Sequence, residues 1–196
     1  MRTRNADKVQ LVKDKAIELL VNDGFEGFSV NKLAKACGIS VATIYIYYKD
    51  KDDLIVQVAR EEMSKMTESA MENFDPTAPF AKGMRVQWEN RSKYFLNNLR
   101  VIHLIEQLRS STYQEEIFES TMAIFKANMG RFMKNAIANQ EVDPMPMEVF
   151  WSIAFGPLHS LIRFHHEGKS IGGKPFVLTS KILWHTFDLV IKALKK

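Results

Sequence analysis

At 196 residues, the chain has the length of one mid-sized domain, or of a small domain joined to a larger one, since domains run to about 100–200 residues. Hydrophobic residues at 46% and charged residues at 26% exclude an intrinsically disordered composition, and the longest uncharged apolar run, Val149 to Ile162, falls short of the ~20 residues of a membrane-spanning helix. The formal charge of +4 is unevenly placed: between Ser29 and Lys51 four lysines (Lys32, Lys35, Lys49, Lys51) face one acid, Asp50, and Arg2, Arg4 and Lys8 extend the basic character, which suits a local anion-binding face or a solvated lysine-rich surface.

Charges interrupt the first part of the chain where a secretory signal would show a compact uncharged core, so a cytoplasmic protein with no membrane partner is expected. The single cysteine, Cys37, can close no intramolecular disulfide and supply no cysteine-based metal site.

Val9, Val12, Ala16, Leu19 and Leu20 recur at helical spacing up to Gly24, predicting a first helix over about residues 6–23. Ser29 is placed to cap a short second helix with Val30, Leu33, Ala34 and Cys37 on its apolar side, ending at Gly38. Ser40 caps a third, Val41 to Tyr48, and Asp50 a much longer fourth running to about Asn73. Further helices are expected at about 78–98, 100–110, 114–140, 147–167 and 177–195, separated by breaks such as Asp143-Pro144-Met145-Pro146 and Gly172-Gly173-Lys174-Pro175. No strand pattern competes, so the fold class is all-α, with about nine helices. Composition shifts inside the long fourth helix: all aromatics but Phe25, Phe28, Tyr45, Tyr47 and Tyr48, and every methionine but Met1, follow residue 60. The expected organisation is a three-helix head over 1–50, joined by the long helix to a helical domain over 51–196.

The stretch Ser29 to Tyr48 carries the most information. Two short helices meeting at a glycine fit a helix-turn-helix, whose second helix enters the DNA major groove while the first braces it; an ordinary helical hairpin has the same outline. Ala34 is small where the helices approach, and Gly38 adopts positive φ cheaply. Ile39 and Ile44 are expected to point inward, and Val41, Ala42 and Thr43 outward, the first two suited to thymine methyls and the third to a phosphate. Tyr47, Tyr48, Lys49 and Lys51 add phosphate-capable groups, and the fourth helix would offer its N-terminal N–H groups to an anion.

Residues 8–62 resemble the N-terminal domain of the TetR family of bacterial transcriptional repressors. The family's Gly-Phe stretch, Thr or Ser before the second helix, Ala-x-x-x-Gly-x-Ser turn and Thr-(Leu/Ile)-Tyr-x-(Tyr/His)-(Phe/Tyr)-x-x-Lys-x-x-Leu run are matched by Gly24-Phe25, Ser29, Ala34 to Ser40 and Thr43 to Leu54. The resemblance implies phosphate contacts at Thr43, Tyr47 and Lys51 and base reading or flanking at Val41, Ala42 and Tyr45. With the capping residues Ser29 and Ser40 these make up the DNA-binding set. Ile46 departs from the polar or basic residue the family often carries there, which suggests a methyl-rich or shape-based readout.

Beyond residue 60, the segments Val149 to Phe164 and Ile182 to Ile191 are apolar nearly all round, which a helix tolerates only when covered on both sides. A second copy is the simplest cover, and the resemblance implies pairing through the last two helices, with Leu158, Ile162, Trp184, Phe187 and Ile191 at the interface of a homodimer. Met84, Trp88, Phe95, Phe125, Met129, Phe132, Trp151 and Phe155 recur at helical spacing, as core residues or as the lining of an adaptable cavity. The resemblance implies an inducer pocket among these helices, and the candidate lining is Met84, Trp88, Phe95, His103, Phe125, Met129, Trp151 and Phe155. The remaining histidines, His159, His165, His166 and His185, show no metal-ligand spacing with His103 or with one another, so neither metal nor cofactor is expected.

The function expected is a regulator, most simply a repressor, released from a pseudo-palindromic double-stranded operator by a mostly apolar small-molecule inducer. Two alternatives stand beside it. An enzyme acting in the helical cavity lacks every glycine-rich, nucleophile or paired-carboxylate motif, and a non-specific nucleoid protein would carry more widespread basic charge.

Overall fold

The computed structural model describes residues 2–196, with side chains from Asp7 onward; Arg2 and Arg4, counted above in the basic region, lie outside the described side chains. Among the described residues there are nine helices: α1 (Arg2–Gly27), α2 (Val30–Cys37), α3 (Val41–Ile44), α4 (Lys51–Met71), α5 (Phe80–Asn97), α6 (Leu99–Arg109), α7 (Gln114–Ala138), α8 (Met147–Glu167) and α9 (Ser180–Leu194). Among the described residues, extended pairing is limited to two isolated bridges, Val142 with Lys195 and Lys169 with Pro175.

The chain forms two compact units, one from residues up to Met66 plus Asn98–Met122, the other from Thr67–Asn97 plus Ala123–Lys196. This division does not fall at residue 50. Leu104 and Leu108 of α6 and Ile117 of α7 are fully buried with Val12, Ala16 and Leu20 of α1 and with Leu54, Ile55 and Ala59 of α4. The first unit therefore recruits a later segment of chain to cover the outer side of α1, and α4 and α7 each contribute to both units.

Local signals set the short helices of the first unit. Gly24 takes φ 73°, ψ 172° and interrupts α1 where its apolar periodicity ends. Ser29 Oγ accepts the Lys32 N–H, while at the other end of α2 Gly38 sits at φ 64°, ψ 32°. Around it Ile39 N–H bonds to Ala34 O and Gly38 N–H to Lys35 O, the paired closure that a left-handed residue permits at a helix end. The third helix is shorter than the expected Val41 to Tyr48. After Ile44 the chain tightens into i→i+3 turns, Ile46 N–H to Thr43 O and Tyr47 N–H to Ile44 O, which bury Ile44 and Tyr48 on one side and expose Ile46 on the other.

In the second unit, Phe132 stacks on Phe80 at 5.7 Å and meets Phe74 edge-on at 5.2 Å. Gly83 of α5 makes that packing possible, because a Cβ there would lie 2.4 Å from Phe132 Cε2. Trp88 is fully buried and donates its indole N–H to Ala154 O at 2.9 Å, and its ring meets Phe187 edge-on at 5.5 Å.

Glycine substitutions should separate conformational from steric demands. A Cβ at Gly38 meets open space but must adopt positive φ, so Gly38→Ala should lower stability by about 1–2 kcal/mol. Gly130, inside α7 and also facing open space, should gain about 0.5–1 kcal/mol on conversion to Ala. Denaturant midpoints moving in opposite directions are the expected result.

Candidate nucleic-acid interface and buried aromatic site

None of the DNA-binding set expected in the first unit is buried. Ala42 and Tyr45 are exposed, and Val41, Thr43, Tyr47 and Lys51 are half-buried. Ser29 and Ser40 serve as caps: Ser40 Oγ accepts the Thr43 N–H at 3.2 Å and shares a 2.8 Å hydrogen bond with Thr43 Oγ1. That bond holds the Thr43 hydroxyl at the helix surface. Ile46 is 74% exposed, so the residue that departs from the family pattern is an outward apolar side chain rather than part of the core.

Electrostatics refine the expected basic face. Lys32 is drawn away into a 2.7 Å salt bridge with Asp23 and a bond to Gly27 O, whereas Lys35 and Lys49 are exposed. At the start of α4, one of the N–H groups expected to meet an anion, that of Asp53, is already taken within the chain. Asp50 Oδ1 accepts the Asp53 N–H at 2.8 Å, Asp53 accepts the Lys49 N–H at 2.8 Å, and Asp52 adds a third carboxylate. Hydrogen bonds from Gln57 and from the Lys49 N–H hold the Asp53 carboxyl below the usual range, so the helix start already carries its own anions.

Behind the reading element, Tyr48 is buried and its hydroxyl finds no partner among the described residues; burial pushes its pKa up. Tyr113, just before α7, donates to Asp52 at 2.5 Å and packs its ring 5.6 Å from Phe25. Burial, then that hydrogen bond and the Asp52 charge, push the Tyr113 hydroxyl up to about 12. Arg60 of α4 reaches Glu116 and Ser120 of α7 at 3.1 Å each. These ties between α4 and the beginning of α7 had no signature in the spacing of the sequence.

All but one of the other predicted set belong to the second unit. Met84, Trp88, Phe95, Phe125, Met129 and Phe155 are buried and Trp151 is half-buried, with Phe125 and Trp151 edge-on at 5.4 Å and Trp151 and Phe155 tilted against each other at 4.9 Å. His103 does not join them. It is exposed on α6 in the first unit, 3.6 Å from Glu106, because the inward positions of that helix are taken by Val101, Leu104 and Leu108.

Arg91 was missed by the sequence reading, although Met84, Trp88, Arg91 and Phe95 share one helical stripe. It is 5% exposed, with its guanidinium carbon 4.4 Å from the Phe155 ring centre, 5.0 Å from Trp151 and 5.1 Å from Phe125. Nε donates to Gln87 Oε1 at 3.3 Å, and Gln87 is itself held by a 2.7 Å bond to Ala70 O. No salt bridge engages Arg91 among the described residues. Burial pushes the guanidinium down to about 9, so it remains charged at neutral pH.

The residues expected at the interface differ in exposure within the chain. Leu158, Ile162 and Phe187 are buried within the chain itself, and Trp184 and Ile191 are half-buried, with the Arg85 guanidinium 4.1 Å from the Trp184 ring centre. The large apolar side chains that α8 and α9 leave exposed include Val149, Ile153 and Leu189, beside Met147 at the very start of α8. On α8 these continue into half-buried Gly156 and Ser160 at i, i+4, i+7 and i+11, and a Cβ at Gly156 would meet nothing within 4 Å.

Residues 13–58 match the family described as bacterial regulatory proteins, tetR family. An HTH-type transcriptional regulator of Haemophilus influenzae is 29% identical over 110 residues, covering 56% of this chain and 59% of that protein; the chain thus matches less than two thirds of that relative's length. In fold, the chain is similar to a TetR family transcription regulator from Marinobacter aquaeolei, with a TM-score of 0.84, 23% identity and full coverage of both chains. It is also similar to the transcriptional regulator FadR of Bacillus subtilis, solved in complex with stearoyl-CoA, with a TM-score of 0.70, 15% identity and coverage of 95% and 99%.

The Arg91 environment carries a stability expectation. An aromatic face returns about 0.5–1 kcal/mol to an exposed cation and about 2 kcal/mol or more to a desolvated one, against a desolvation cost of several kcal/mol of which a single neutral hydrogen-bond partner recovers little; the sign of the balance is what the substitution reads. Because an apolar side chain of similar length avoids the desolvation cost, Arg91→Met should raise the unliganded protein's denaturation midpoint by an amount equivalent to about 1–3 kcal/mol. A lower midpoint would show that the aromatic cage outweighs desolvation.

Proposed function

Because the chain belongs to the TetR family of bacterial transcriptional regulators, we propose that it is a homodimeric repressor that leaves a pseudo-palindromic operator when a mostly apolar small molecule enters its second unit. The observation that carries the DNA-binding part is the α2–Gly38–α3 unit, with Ala42, Tyr45 and Ile46 facing solvent. In this reading residues 1–50 are the DNA-binding head, which acts in the cytoplasm. Val41, Ala42 and Tyr45 discriminate bases, with Ile46 supplying a further methyl-reading surface, and Thr43, Tyr47 and Lys51 hold phosphates.

Residues 51–196 carry the effector and dimer functions. A second copy would cover the outer α8 row of Val149, Ile153, Gly156 and Ser160, together with Leu189 of α9, while the inner rows close the chain's own core. The stearoyl-CoA complex of the FadR neighbour supports a site for an amphiphilic molecule in this fold, and the buried aromatic side chains of the second unit suit its apolar part. Coupling would run through α4 and α7, each of which has a part in both units. A ligand changes operator affinity only if it favours one of two states, typically by ~1–3 kcal/mol, or about 5- to 150-fold.

Selection of bound fragments from a random DNA pool tests the reading directly, and an inverted repeat is expected; an asymmetric site bound by a monomer would refute it. On the selected site, Lys51→Ala should weaken all sequences alike and reduce the salt slope by about one unit. Ile153→Glu and Leu189→Glu should each shift sedimentation from dimer to monomer with the helical signal retained. An intact dimer in both would move the interface elsewhere.

A further inference from the structure

We infer that the second unit receives a molecule with an anionic head group on an apolar body, and that Arg91 is the residue that meets the head. This rests on the ligand-responsive reading above and names the chemistry of its effector. Arg91 is a full positive charge taken out of water without a carboxylate to answer it among the described residues. Buried charges in proteins are ordinarily paired, because desolvation costs more than neutral contacts return. Other basic residues of the same unit illustrate the usual arrangement: Arg163 is paired with Glu167 and Lys196 with Asp143, both near solvent.

The surroundings of Arg91 prepare it for a ligand rather than for a protein acid. Gln87, fixed by its bond to Ala70 O, takes the Nε–H and sets the plane of the guanidinium. A guanidinium has five N–H donors, and the fork made by its terminal nitrogens matches the two oxygens of a carboxylate or the oxygens of a phosphate. The aromatic faces of Phe125, Trp151 and Phe155 lie against the cation, and Trp88 and Phe95 continue the apolar surface along α5. Charge and apolar surface in one place select an amphiphile: a neutral hydrocarbon leaves the cation unanswered, and a small inorganic anion leaves the apolar surface unused.

The test compares dodecanoate, dodecyl phosphate and dodecanol as ligands of the full chain, followed by calorimetry and by tryptophan fluorescence. At least one of the two anions should bind about tenfold or more tightly than dodecanol, as expected for a charge-assisted hydrogen-bonded head group, and which anion does so identifies the head as carboxylate or phosphate. In Arg91→Met, checked for folding by thermal melting, that preference should disappear through loss of anion affinity while dodecanol binding is kept. Arg91→Lys, which keeps the charge but loses the fork, should retain part of the preference. Equal binding of all three ligands to the natural protein, binding of none of them, or an undiminished anion preference in Arg91→Met overturns the inference. Operator affinity, measured alongside, separates this inference from the reading it rests on. Anion binding that needs Arg91 but leaves operator affinity unchanged supports the head-group site and refutes the regulated repressor. Operator release by dodecanol as strong as that by the anions overturns the head-group site and leaves the repressor standing.

Discussion

Four residues of α-helix cannot hold their own shape in water, since helix nucleation is unfavourable and isolated helices become stable only beyond about 12–15 residues. The element proposed to read DNA, Val41–Ile44, is such a helix, and much of the first unit acts to hold it. Ser40 caps its start, the Gly38 closure sets its angle to α2, and Ile44 and Tyr48 anchor its inner side among Val12, Leu20, Leu33 and Leu54. The outer side is thereby free of any structural duty, and Ala42, Tyr45 and Ile46 can be chosen for what they touch outside the chain.

The same dependence explains why a later part of the chain joins the first unit. A bundle of α1 with three partners leaves apolar surface on α1, and α6 supplies Leu104 and Leu108 against it. Tyr113 and Glu116 then bind Asp52 and Arg60 of α4. Each of these polar contacts is partly exposed and modest in energy; their effect is to fix the geometry of α4 near its origin, where the reading element is attached.

The second unit follows another logic. Its aromatic rows are packed closely enough that Gly83 admits no Cβ beside Phe132, yet the same interior holds a cation that packing alone would not select. Natural proteins depart from the most stable arrangement mainly where a function requires it. A buried guanidinium amid aromatic rings is such a departure, and its position on the Met84–Trp88–Phe95 stripe places it among the residues expected to line an effector site.

Local chemistry was legible in the sequence. The caps Ser29 and Ser40, the left-handed Gly38, the break at Gly24 and the span of α8 between Pro146 and Gly168 all follow from neighbours a few residues apart, as does the match that identifies residues 13–58. Tertiary structure decided what local spacing leaves undetermined. Periodicity shows which residues share a face but not what the face meets, and on α8 and α9 nearly every face is apolar; hence Leu158, Ile162 and Phe187 turned inward while Ile153 and Leu189 remained outside. For the same reason His103, in an apolar run, fell on the solvent side of α6. Arg91 stood on the right stripe with no local sign of burial, because only packing from α7 and α8 removes it from water. Local geometry is set by chain neighbours, whereas burial of a charge or choice of an apolar face depends on segments dozens of residues away, whose placement no short-range pattern encodes.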